Sequence, residues 1–174
     1  LVTHKAVTAK GSLFQLMGQF GGLPVYDSQE ENHTIGAPIQ TSGTHEVYRA
    51  DASSGDGPNR EVVLKRFRLD DERSRKMFER ELRIMARLRH PNIVALTGVV
   101  YSVKSAEAYL EMPFFESGDL RQHFAANAKH RSPVEVQQIF FELLKALEYL
   151  HSNGVAHLDV KPDNILIAND GTTK

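Results

Sequence analysis

Apolar positions change their spacing several times along this chain, and each change predicts an element. Val47 to Ala50 and Glu61 to Arg68 are short β-branched or alternating runs on either side of the loop Asp51 to Asn59, which predicts paired strands. From Asp70 to His90 the spacing becomes helical, with Phe78, Leu82, Met85 and Leu88 on one face and a crowd of arginines on the other. Asp70, Asp71 and Glu72 suit the positive end of that helix. Ile93 to Val100 and Glu107 to Met112 predict further strands, about five in all, and a short helix is expected near Asp119 to Asn127. Ser132, Pro133, Val134 and Glu135 spell a capping box with proline at the first helical position. It opens the run Ile139, Phe140, Leu143, Leu144, Leu147, Leu150, which Gly154 ends. Apolar residues around much of its circumference predict a largely buried helix. Ile165 to Ile167 and the turn Asn169, Asp170, Gly171 predict a hairpin whose second strand is cut off at Lys174. Residues 1–38 show no sustained period and carry the turn formers Gly21, Gly22, Pro24, Gly36 and Pro38, so a linker or the tail of an upstream region is expected there.

Composition narrows the classes. Across 174 residues, 41% are hydrophobic and 25% charged, close to ordinary globular usage, which counts against wholesale disorder, collagen and coiled coil. Lys+Arg 21 against Asp+Glu 22 gives a formal net charge of -1, so no global basic field recruits nucleic acid or anionic membrane. Residues 60–90 do hold eleven Lys/Arg against six Asp/Glu. A solvated helix face with i,i+4 pairs such as Glu72 with Lys76 and Glu79 with Arg83 accounts for them without a nucleic-acid partner. Zero cysteines exclude disulfides and thiolate metal sites and fit a reducing compartment. The eight histidines form no zinc-binding pair. No apolar run approaches the ~18 residues of a membrane span and no leader opens the chain, so a cytoplasmic or otherwise intracellular protein is expected. The sequon Asn32, His33, Thr34 is accordingly expected to stay unmodified. Leu1 in place of an initiator methionine suggests an excerpt or a processed piece.

The most specific chemistry lies in His157-Leu-Asp-Val-Lys-Pro-Asp-Asn164, between the long helix and a short strand. The octamer resembles the catalytic loop of the eukaryotic protein kinases, with Asp159, Lys161 and Asn164 at the family's offsets. The phosphoryl transfer to a hydroxyl that the resemblance implies needs a carboxylate near the attacking oxygen, a cation near the moving phosphoryl group and an oxygen ligand for Mg²⁺. Asp159, Lys161 and Asn164 are residues of those types. Glu61-Val-Val-Leu-Lys65 resembles the family strand whose lysine holds the α- and β-phosphates. Glu81 lies inside the apolar stripe of the following helix, where a carboxylate requires a cation, and Lys65 is the expected partner. Arg89-His-Pro-Asn-Ile-Val94 resembles the segment that follows this helix in the family. Tyr109 to Leu120 resembles the hinge: the match implies Met112 as gatekeeper, Phe114 and Phe115 at the adenine, and Asp119 at the ribose. It also implies nucleotide contacts from Ile39, Val47, Val63 and Leu166, and a metal contact from Asn164. His157 is expected to be a hydrogen-bonding residue of its loop, and Asp163 to face solvent.

Three departures qualify the resemblance. Pro113 stands where the family has an acidic residue, keeping its carbonyl and losing its N–H. Taking Val47 as anchor, Gln40, Ser42 and His45 occupy the glycine positions of the phosphate loop, with Gly43 alone nearby. Glycine lets backbone N–H groups approach phosphates, and positive φ costs other residues ~1 to 2 kcal/mol, so weakened nucleotide binding is expected. Leu158 replaces the arginine that contacts a phosphorylated activation loop, which implies that any activity is not switched by that pairing.

The expectation is therefore an α+β, two-lobed, truncated kinase-like fold: an antiparallel sheet with one packed helix, then the first helices and the catalytic loop of a helical lobe. Residues 1–36 are the linker or tail, 37–112 the small lobe, 113–119 the hinge and 120–174 the start of the large lobe. The resemblance implies ATP and Mg²⁺ as cofactors and serine/threonine hydroxyls of proteins as substrates, with Lys161 marking the serine/threonine class. The alternative is a pseudokinase acting as a binding or scaffold module. The family's Asp-Phe-Gly segment would follow Lys174, so a chain stopping there is expected to be inactive alone and to expose Phe140, Leu144 and Leu147. Oligomeric state is not legible.

Overall fold

A computed structural model describes residues 15, 18–20, 22–28, 32–42, 45–53, 58–102, 104–126 and 132–174, the side chains of 41, 42 and 45 excepted. Six strands are present among them: β1 (Val25–Asp27), β2 (His33–Ser42), β3 (His45–Ala52), β4 (Arg60–Arg68), β5 (Gly98–Ser102) and β6 (Glu107–Pro113). The helices are α1 (Glu72–Met85), α2 (Leu120–Ala126) and α3 (Pro133–Ser152), and Pro162–Asn164 forms a single 3-10 turn. The chain divides into two compact units. One comprises Leu1–Arg87 and Leu96–Phe114, the other Leu88–Ala95 and Phe115–Lys174.

In the first unit the sheet order is β1-β5-β6-β4-β3-β2. Alternation along β4 feeds two cores. Phe67 joins Phe78 and Leu82 of α1 with Val99 and Leu110 on one face, while Val62 and Leu64 join Ala50, Val100 and Tyr109 on the other. Helix α1 is capped by Asp71, whose Oδ1 accepts from the Ser74 N–H at 2.9 Å, and is shorter at both ends than the sequence predicts.

Three strand expectations need correction. The first 38 residues are not all linker: β1 and most of β2 lie within them. β1 has three residues, too few to show a period, and pairs parallel to β5, which makes the sheet mixed and six-stranded. β2 tolerates Gly36 and Pro38 because it is an edge strand whose pairing with β3 shifts register between Ile35 and Pro38 and again between Pro38 and Gln40. Residues 93–97 are not strand. The Ile93 N–H turns back to the His90 carbonyl at 3.2 Å, and β5 begins at Gly98.

The second unit gathers Leu120, Ile139, Ile165 and Ile167 into a core. Helix α3 is not largely buried. Ile139, Ala146 and Leu150 are covered, whereas Phe140, Phe141 and Leu144 are 59%, 54% and 61% exposed, and Leu147 is half-buried. Its capping box is incomplete: Ser132 Oγ accepts from the Val134 N–H at 3.2 Å, but Glu135 turns to His123 Nε2 at 2.8 Å. A reciprocal box forms instead at α2, where Asp119 Oδ1 accepts from the Gln122 N–H at 2.8 Å and Gln122 Oε1 accepts from the Asp119 N–H at 3.3 Å. The expected hairpin closes around Gly171, with the N–H and C=O of Leu166 and Lys174 exchanging bonds of 3.0 and 2.9 Å.

Candidate functional site

Strand register decides which side chains share the α1 side of the sheet. Lys65 pairs across β4 with Val47 on β3 and Leu110 on β6, and Val63 pairs with Met112. Residues directly opposite in a ladder project to the same face, so Val47, Val63, Lys65 and Met112 lie on the face that α1 covers. Glu81, one turn from Phe78 and beside Leu82 on α1, meets them there. Lys65 Nζ donates to Glu81 Oε1 at 2.6 Å, the two side chains being 23% and 30% exposed. The expected pair is present, half-buried. Phe114 lies under the Arg49 guanidinium, 4.5 Å from its ring centroid, and its N–H reaches the Glu61 carbonyl at 3.4 Å. Ile39 on β2 is 53% exposed. Of the phosphate-loop positions, Gln40 pairs with Val47 and Ser42 with His45 in the β2–β3 ladder, and the connecting residues 43–44 lie outside the described residues.

In the second unit, the loop after α3 converges on one carboxylate. Lys161 Nζ stands 2.9 Å from Asp159 Oδ2, and Asn164 Nδ2 donates to that same oxygen at 2.8 Å and to the Asp159 carbonyl at 2.8 Å. The hydrogen bonds from Lys161 and Asn164 hold the Asp159 carboxyl below the usual aspartate range, against a small opposing effect of burial. His157 Nδ1 accepts from the Asp159 N–H at 3.3 Å, the loop role expected of it. Leu158 is 91% exposed at φ 64, a left-handed conformation that costs a side chain other than glycine about 1 kcal/mol or more. Asp163 does not face solvent freely: it pairs with Arg121 of α2 at 2.5 Å. Asp119 and Leu166 form an isolated antiparallel bridge, and Phe115 is half-buried.

Two buried acids escaped the sequence reading. Glu111, fully buried on β6, accepts from Thr97 Oγ1 at 2.6 Å and lies 2.5 Å from His33 Nε2 and 2.8 Å from an Arg60 nitrogen. Burial alone pushes its carboxyl up, but the bonds from His33 and Thr97 and the charge of Arg60 outweigh that and leave it below the ordinary glutamate range. The signal was a lone acid inside the apolar run Ala108 to Met112. Glu142 of α3 accepts from the Thr173 N–H at 2.7 Å, while Asn92 Nδ2 donates to the Thr173 carbonyl at 2.9 Å. The His90-Pro91-Asn92 segment thus clamps the closing strand of the hairpin. An acid among Ile139, Ala146 and Leu150 was the corresponding signal there.

A lysine on a central strand tied to a glutamate of the packed helix, together with an aspartate-lysine-asparagine loop after a long helix, defines the protein-kinase class of fold. The comparisons agree. Residues 45–174 match the family model described as the protein kinase domain, and the chain belongs to that family. It is 32% identical over 87% of its length to a bifunctional serine/threonine-protein kinase/NEDD4-like E3 ubiquitin-protein ligase of Dictyostelium discoideum, of which it covers 8%. It is 30% identical over 88% of its length to the serine/threonine-protein kinase SSN3 of Pyricularia oryzae, covering 32% of that protein. It is 42% identical over 55% of its length to CBL-interacting protein kinase 4 of Oryza sativa subsp. japonica, covering 21%. The chain therefore spans from 8% to 32% of the length of these relatives. Among the described residues no helix is long and apolar enough to cross a membrane.

Proposed function

We propose that the protein to which this chain belongs transfers a phosphoryl group from ATP to serine or threonine hydroxyls of protein substrates. The observation that carries this reading is the convergence of Lys161 and Asn164 on one oxygen of Asp159. A carboxylate held below its usual range stays ionised at neutral pH. It accepts a hydrogen bond from the substrate hydroxyl, orients that oxygen and takes its proton as the new P–O bond forms and the bond from the γ-phosphorus to the β,γ-bridging oxygen breaks, releasing ADP. Lys161, beside it, offsets charge on the phosphoryl oxygens. In the first unit, Lys65 is fixed by Glu81 for the α- and β-phosphates.

Asn164 commits Nδ2 to Asp159, so its Oδ1, a hard neutral oxygen, is the atom that would hold Mg²⁺. An ion held by this one protein oxygen would take its other ligands from phosphates and water. Such an ion supplies neutralisation and alignment of the phosphates. The adenine and ribose assignments of the family resemblance belong to the same proposal. So does a hinge at residues 113–119, supported by a boundary between compact units at Phe114 and Phe115; a boundary at 36 does not, because β2 runs across it and β1 precedes it in the same sheet. An intracellular setting is part of it too, supported by the absence of cysteine.

In the full-length protein, Asp159→Asn is expected to lower turnover about 10²- to 10⁴-fold while sparing nucleotide affinity, whereas Lys65→Ala damages both. Equal turnover of wild type and Asp159→Asn removes the mechanism. The glycine-free positions 40, 42 and 45 favour a second reading, a pseudokinase module. On the same reading nucleotide affinity is expected to fall roughly tenfold below that of a glycine-lined loop. Sub-micromolar ATP binding by calorimetry would contradict that weakening.

A further inference from the structure

On the side of α1 turned away from the sheet, five cations fall into line. At 3.6 residues per turn, Arg73, Lys76, Arg80, Arg83 and Arg87 occupy an arc of about 80°, opposite the arc of the buried Phe78 and Leu82. Arg87 continues the turn, its N–H donating to the Ile84 carbonyl at 3.2 Å. Lys76 reaches Glu72 at 3.3 Å and Arg83 reaches Gln19 at 3.3 Å. The guanidinium groups of Arg73, Arg80 and Arg87 have no ion-pair partner among the described residues. Intrahelical pairing with Glu79 thus fails to neutralise the face, contrary to the expectation from spacing alone.

The stripe is not purely polar. Met77 and Ile84, both half-buried, alternate with the arginines in the order Arg73, Met77, Arg80, Ile84, Arg87. These steps of four, three, four and three residues make the seam along which one helix packs against another. Beside Met77, an open groove of about 490 Å³ is lined by Glu72, Arg73, Lys76, Met77 and Arg80. We propose that this face docks an acidic amphipathic helix of a partner protein, its carboxylates opposite Arg73, Arg80 and Arg87 and its apolar residues opposite Met77 and Ile84. A nucleic-acid backbone fits less well. It carries a charge every ~1.7 Å and no apolar side chain to cover Met77 and Ile84, and it would meet Asp70, Asp71 and Glu72 at one end of the stripe. From Arg73 to Arg87 the seam is about 21 Å long, roughly four turns of a partner helix.

The test titrates the chain with a fluorescently labelled helical peptide of about 20 residues, bearing leucines seven apart on its seam and glutamates at the other seam positions. Saturable one-to-one binding is expected, weakened about tenfold or more by Arg73→Glu with Arg80→Glu and by raising salt from about 0.05 to 0.3 M. The milder pair Arg73→Gln with Arg80→Gln should weaken it in the same direction, and Met77→Ser independently. Lys104→Glu, which reverses an exposed cation elsewhere in the same unit, should leave it unchanged. The variants alter exposed or half-buried positions, and an unshifted unfolding midpoint confirms that each folds. Absence of peptide binding overturns the proposal. So does binding indifferent to the arginine substitutions, or a DNA duplex of equal length binding as tightly.

Discussion

Glu81, Glu111 and Glu142 illustrate one rule at the scale of single residues: an acid inside an apolar stripe is held by whatever donors the fold brings to it. Glu81 has its lysine, Glu142 a backbone N–H, and Glu111 a histidine, a threonine and an arginine. Glu111 is the most informative because it is fully buried. Its carboxyl is depressed below the ordinary value of 4.5 in the folded state. A depressed acid stabilises the fold above its unfolded pKa, and that contribution is lost as pH falls through the folded value. Glu111→Gln is therefore expected to cost about 1.5 to 3 kcal/mol at neutral pH, a gap that narrows below about pH 4.5. Urea unfolding of both proteins at neutral and acidic pH measures it. A gap that does not change with pH would mean that Glu111 acts by shape and not by charge.

Elements in this chain depend on small residues where another segment passes close. A Cβ at Gly98, the first residue of β5, would stand 3.0 Å from the Tyr26 ring and 3.5 Å from the Glu111 carboxyl carbon. Tyr26 belongs to β1 and packs edge-on against His33 at 5.0 Å, so the absence of a side chain at 98 lets β1 join the sheet beside the Glu111 network. Gly98→Val should wedge β1 off, costing about 1 to 3 kcal/mol. Amide exchange at Ser28, whose N–H bonds the Tyr101 carbonyl at 2.8 Å, reports it. Retained protection there would show that β1 does not need the glycine. Helix starts tell a similar story. Asp119-x-x-Gln122 closes a reciprocal box, whereas Ser132-x-x-Glu135 does not, because His123 competes for the glutamate.

For the whole molecule, the uncovered face of α3 dominates solution behaviour. Phe140, Phe141 and Leu144 expose more than half of their surface on adjoining turns, and contiguous apolar patches drive dye binding and association. The chain is expected to bind a hydrophobic dye and to self-associate as its concentration rises. Phe140→Lys with Leu144→Glu should abolish both while shifting stability by no more than about 0.5 kcal/mol, since exposed side chains away from special features contribute little. Sedimentation and dye fluorescence on the two proteins decide it. A monomer without bound dye at every concentration would mean that the patch is covered in solution.

The sequence by itself determined the Lys65 and Glu81 pairing, the Asp159, Lys161 and Asn164 loop, the helices, the β3–β4 pair and β6, but placed β5 five residues too early. Those are encoded locally, in period, caps and fixed offsets between neighbouring residues, and family motifs are short enough to be read there. Only the tertiary structure decided that β1 and β2 belong to the sheet, that Leu88–Ala95 joins the second unit and that Asn92 and Glu142 clamp Thr173. Each of these depends on a partner dozens of residues away, such as Tyr101 for Ser28 or Thr173 for Asn92. A three-residue strand has no period of its own, and its place is set by the edge and the glycine that admit it.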